Sequence, residues 1–132
     1  MSSKYSILIH ASFQLQIDDF LELHSSDWGD VITQFKKLVD NPLHNPMNGL
    51  PPPLGGRVFH LHVGGRKGFR LIYVADSKRG IVLPVFLSCE IKPRFDYDAV
   101  PWQDYASEIY KDLCDGNTTK FTELRLISKQ SA

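Results

Sequence analysis

The sequence is poor in the residues that would build a metal site, a disulfide framework or a membrane span. Only two cysteines occur, Cys89 and Cys114, separated by 24 residues and without a C-x-x-C partner. Such spacing supports neither cross-linking nor structural zinc. The longest apolar runs, such as residues 81–87, fall far short of the roughly 20 residues a membrane-spanning helix needs. Met1-Ser2-Ser3-Lys4 leads into no signal-peptide pattern, so the expected location is the cytoplasm, with no membrane partner. Net charge is also lacking: 15 Lys+Arg stand against 15 Asp+Glu, so the chain total makes no case for binding nucleic acid. P-loop, H-E-x-x-H, G-x-S-x-G and dinucleotide-fingerprint motifs are all absent, and no cofactor is expected.

What remains is 132 residues and 15.0 kDa, enough for one domain, residues 1–132, to bury a core unaided. The charge is unevenly spread. Residues 1–56 carry a balance of −3 and residues 96–132 another −3, whereas residues 57–95 carry +6. That middle third holds Arg57, Arg66, Lys67, Arg70, Lys78, Arg79, Lys92 and Arg94 against Asp76 and Glu90 alone. A basic island of this kind can dock a polyanion on a neutral protein, or it can be a solvated sheet face.

Apolar periodicity divides the chain into elements. Residues 5–10 read as a β-branched strand. Ser12 is the expected N-cap of a first helix carrying Phe13, Ile17, Phe20, Leu21 and Leu23, and a second helix carries Val31, Phe35, Leu38 and Val39 up to Asn41-Pro42. The pair forms an antiparallel hairpin. Residues 41–56, rich in proline and glycine, form a loop. Three strands follow, at 57–63, 69–75 and 81–91, joined by turns at 64–68 and 76–80. The last is apolar on both faces, as a central strand would be, and Pro84 within it demands a bulge or an unpaired edge. A helix is expected over 101–113 with Trp102, Tyr105, Ala106, Ile109 and Leu113 on one stripe and Gly116 as its stop. Residues 118–127 are a last strand or a docking tail.

Alternation along the first two of these three strands sets Val58, His60 and His62 on one face of one strand and Arg70, Ile72 and Val74 on one face of the next. Two histidines without a third ligand make a poor zinc site. Beside an arginine they make better sense, because an imidazole of pKa near ~6.5 exchanges protons at neutral pH and a guanidinium holds phosphate. Two half-exposed histidines with no chemical role are the plainer alternative.

The order of elements, with "FKKLVDNP", "LPPPLGGRVFHLHV", "GFRLIYVAD" and "VLPVFLSCEIKPR", resembles the RelE/ParE superfamily of bacterial type II toxin-antitoxin toxins over residues 4–113. Residues 114–132 form a C-terminal extension. The resemblance implies an α+β fold in which an N-terminal strand and helix hairpin pack on a small, mostly antiparallel sheet with a C-terminal helix. It also implies a cognate antitoxin and one of two activities: ribosome-dependent cleavage of mRNA, favoured here, or ParE-like inhibition of gyrase without catalysis.

By that resemblance Arg70 matches a phosphate-binding arginine and His60 a basic catalytic position. Lys92 and Arg94 lie where the last strand delivers further catalytic groups. The implied reaction needs no metal: a 2′-hydroxyl attacks the adjacent phosphate and leaves a 2′,3′-cyclic phosphate. Arg70 and Arg57 are the candidates for phosphate, His60 or Lys92 for the base, and His62, Lys92 or Arg94 for the acid. Arg66 and Lys67 complete the expected substrate surface. With no net charge to draw on, contact with RNA would rest on the central island.

Overall fold

The computed structural model of the protein describes residues 5–43, 45–47, 50, 52–63, 69–88 and 101–124. Strand β1 (Ser6–His10) runs directly into helix α1 (Ala11–His24), and a 3-10 turn at Ser25–Asp27 leads to α2 (Trp28–Asp40). Strands β2 (Val58–Val63), β3 (Phe69–Asp76) and β4 (Ile81–Leu87) follow, then α3 (Trp102–Cys114) and a short strand β5 (Phe121–Leu124). The strands form one sheet in the order β2-β3-β4-β1-β5. Only β1 and β4 are parallel; the other three neighbouring pairs are antiparallel. The α+β arrangement expected from the sequence is therefore observed. Residues 118–127 contribute an edge strand over Phe121–Leu124.

The sheet is covered on both faces. Phe59, Leu61, Val63, Phe69, Leu71 and Tyr73 share a core with Phe13, Ile17 and Phe20 of α1 and Val31, Phe35 and Leu38 of α2. On the opposite face Val58, Ile72, Val74, Leu83 and Val85 pack against Trp102, Ala106, Ile109 and Tyr110 of α3. Alternation in β2 and β3 thus divides the residues as the sequence predicts. The buried stripe of α1 is narrower than its apolar spacing predicts: Leu21 is 37% and Leu23 65% exposed, because α1 meets the sheet along the line of Phe13, Ile17 and Phe20. In α3, Leu113 and Tyr105 are only partly buried, and Tyr110 and Asp112 take buried places.

Pro84 sits in a bulge. The β3–β4 register runs Tyr73↔Pro84 and then Ile72↔Phe86, leaving Val85 without an opposite residue. The extra residue shifts the phase of the strand. Leu83, Val85 and Phe86 accordingly all join the α3 side, and Leu87 joins the other. The far side of β4 is completed in an unusual way. Its parallel pairing with β1 runs through Ser6↔Ile81 and Ile7↔Val82. Further along, the Gln16 side chain of α1 takes over, donating from Nε2 to the Val85 carbonyl and accepting at Oε1 from the Leu87 N–H, both at 2.9 Å.

The cap of α1 differs from expectation. Because strand and helix are contiguous, Ser12 already lies in the first turn, and His10 caps instead: its Nδ1 accepts the Ser12 N–H at 3.0 Å. Since Nδ1 accepts, the proton is on Nε2, which donates to Asp112 Oδ2 of α3 at 2.7 Å. Asn117 Nδ2 donates to Asp112 Oδ1 at 3.0 Å, and Lys120 Nζ lies 3.5 Å from Oδ2. These groups, His10 foremost, bring the Asp112 pKa down from 3.8 to about 2. Gly116, at φ +77, then turns the chain out of the helix as its position predicted.

Two outcomes follow from these contacts. Gln16→Ala leaves the Val85 carbonyl and the Leu87 N–H without their partner and should cost about 1–3 kcal/mol in urea unfolding. Gln16→Glu keeps the size but loses the donor, and should also destabilise. For Asp112, a depressed carboxylate pKa stabilises the fold above the unfolded value and ceases to do so as pH falls through the folded one. The gap in urea midpoint between the parent and Asp112→Asn should therefore be full above about pH 4 and shrink toward pH 2.

Candidate functional site

Register decides which of the expected residues meet. In the β2–β3 pair His62 lies directly opposite Arg70, and His60 opposite Ile72. Directly opposed side chains begin about 5 Å apart and diagonal ones about 7–8 Å, so the two imidazoles and the guanidinium form one group on the α3 face. That face is apolar where α3 covers Val58, Ile72 and Val74 and cationic at its other end. His62 is exposed, His60 half-buried, and Arg70 only 6% exposed. Ser88 secures the backbone under Arg70, its Oγ accepting the Arg70 N–H and its own N–H donating to the Arg70 carbonyl, each at 2.9 Å.

Like charge couples the three. The His60 pKa is lowered by burial first, then by the neighbouring charges of His62 and Arg70. His62 is lowered by burial and by Arg70. Both histidines are consequently neutral at pH 7, each with a lone pair to accept a proton. The chain matches no protein-family model, no curated protein and no solved structure. Any chemical role must be argued from this geometry.

The other predicted residues separate. Arg57 stands five residues along β2 from His62, roughly 16 Å at about 3.3 Å per residue, and does not join the Arg70 group. Its Nη1 donates to the Pro53 carbonyl at 2.6 Å and its guanidinium lies over the Tyr110 ring, 5.7 Å from the centroid. Arg66 and Lys67 in the expected hairpin turn, and Lys92 and Arg94 beyond β4, lie outside the described residues. The basic island is thus divided: Arg70 is at one end of the sheet, and Arg57, Lys78 and Arg79 are at the other, where β3 turns into β4.

Among the described residues no group of three or more His, Cys, Asp or Glu side chains is placed to hold a metal ion, and no helix is long and apolar enough to cross a membrane. Sequence reasoning overlooked the His10–Asp112 contact, although an aspartate within the buried side of α3 was a signal for it. It also overlooked Ser88, which had no periodic signature.

If Arg70 suppresses protonation of its neighbours, replacing it with the uncharged Arg70→Met should raise the pKa of both His60 and His62, most at His62. An NMR titration of the ring protons reads this directly. Unchanged values in a folded variant would mean that Arg70 does not set them and that burial and, at His60, the neighbouring His62 do.

Proposed function

We propose that the protein is a toxin of the RelE type, a ribosome-dependent mRNA endoribonuclease that uses the His60–His62–Arg70 face. The observation that carries this reading is the β2–β3 register, which sets two proton-exchanging imidazoles beside a guanidinium on one face. In the reaction, Arg70 offsets the charge that builds on the scissile phosphate. His60, neutral at pH 7, takes the 2′-hydroxyl proton as that oxygen attacks phosphorus. His62, more exposed, takes up a proton from solvent as the bound phosphodiester anion raises its affinity for one, and passes that proton to the departing 5′-oxygen. The products are a 2′,3′-cyclic phosphate and a free 5′-hydroxyl. A cognate antitoxin covering this face would hold the activity in check, and the cytoplasm is where both mRNA and ribosome would be met.

A second reading has its own support. Arg70 is almost wholly buried, which suits an arginine that organises a binding face better than one that meets RNA unaided. On that reading the same fold is a non-catalytic module, such as an inhibitor of gyrase.

Cell-free translation separates the two. With purified protein, mRNA ends mapped at codon-related positions only when ribosomes are present would support the nuclease, and His60→Ala should slow cleavage by about a hundredfold or more. Intact mRNA, or cleavage by His60→Ala and Arg70→Ala as fast as by the parent, would defeat the assignment. A supercoiling assay on gyrase would then test the second reading.

A further inference from the structure

At the end of the sheet away from Arg70, the loop 52–56, the start of β2 and the β3–β4 turn enclose a cleft of ≈ 330 Å³. Leu43, Phe59 and Ala75 give it apolar walls, and Arg57, Ser77 and Lys78 give it a polar rim. The volume is at the small end of the range for sites that take organic ligands. Gly56, at φ +76, faces open space, since a Cβ built there would meet nothing within 4 Å.

The charges at this end do not balance locally. Arg57 and Lys78 share the cleft lining with one carboxylate, Asp76, which is paired with a third cation, Arg79. That carboxylate is fully engaged: Oδ2 accepts from Arg79 Nη1 at 2.6 Å and from the Tyr110 hydroxyl at 2.8 Å, and Oδ1 accepts the Arg79 N–H at 3.1 Å. Burial alone would raise its pKa, but these bonds from Tyr110 and Arg79 hold it below the ordinary value, so it stays ionised and committed to Arg79. Arg57 is held in place without a carboxylate, by the Pro53 carbonyl and the Tyr110 ring. Among the described residues neither Arg57 nor Lys78 has an acidic partner. Two uncompensated cations therefore line one cleft beside an apolar floor, on which Leu43 is 49% exposed.

We propose that this cleft binds a small organic anion, with a carboxylate or phosphate head between Arg57 and Lys78 and an apolar body against Leu43, Phe59 and Ala75. The site is separate from the His60–His62–Arg70 face and does not depend on the activity assigned there. A head group accepting charge-assisted hydrogen bonds from both cations gains what Asp76 cannot supply, and the body removes Leu43 from water.

The test is an NMR titration of the full chain with four probes: hexanoate, hexyl phosphate, hexanol and inorganic phosphate. Saturable shifts confined to residues 43, 55–59 and 75–78 are expected with one or both amphiphilic anions, and which of the two binds tighter identifies the head. Arg57→Gln and Lys78→Ala should each weaken binding by about tenfold. Both side chains are at the surface, and amide spectra will report that the variants remain folded. Hexanol binding as well as hexanoate would remove the anion from the proposal, and inorganic phosphate binding as well as hexyl phosphate would remove the apolar half; either overturns it. So would unchanged affinity in the folded double variant, or no saturable shift with either amphiphile at millimolar concentration.

Discussion

His10 is the junction on which the rest of the structure depends. One buried imidazole ends β1, caps α1 through Nδ1, donates through Nε2 to Asp112 of α3 and stacks edge-on against Phe121 of β5 at 5.1 Å. Two helices on opposite faces of the sheet are thereby tied to the same residue. An imidazole suits this place because its two ring nitrogens point to different elements, Nδ1 to the Ser12 N–H of α1 and Nε2 to the Asp112 carboxylate of α3. The C-terminal segment is drawn in by the same carboxylate, through Asn117 and Lys120, so that the strand added after α3 is anchored to the chain's first strand.

Much of this architecture was legible because the dominant signals are local. Alternation in VFHLHV and FRLIYV tells which side chains share a face, and a strand apolar on both sides reads as central; neither inference needs knowledge of what lies opposite. Pro84 was legible as a disturbance, although only the pairing with Tyr73 reveals that it produces a bulge and not an edge. The misreadings arose where an element's neighbours decide. Leu21 and Leu23 satisfy helical spacing yet fall beyond the line along which α1 meets the sheet, and the Ser12 cap fails because nothing in the sequence announces that a strand and a helix share a boundary.

The candidate site was half legible for the same reason. Face sharing by His60, His62 and Arg70 follows from strand parity and the pairing of β2 with β3. What parity does not convey is position along the strand, and that is what removes Arg57 from the group and carries it to Tyr110. A run of basic residues in the sequence is a count; among the described residues the antiparallel fold puts Arg70 at one end of the sheet and Arg57, Lys78 and Arg79 at the other. The result is two cationic neighbourhoods of different character, one carrying imidazoles that can exchange protons and the other carrying permanently charged groups over an apolar floor.

The Gln16 amide has a bearing on how this protein behaves among its own copies. A strand whose hydrogen-bonding side is open invites another chain to add to it, and the stretch of β4 around Phe86 would be such a place where its pairing with β1 gives out. A primary amide offers the same donor and acceptor as a peptide unit, so a single side chain here serves as one residue of a sixth strand. The open hydrogen-bonding groups of β4 are filled at that point without lengthening β1, and the helix that carries Gln16 can begin as early as residue 11.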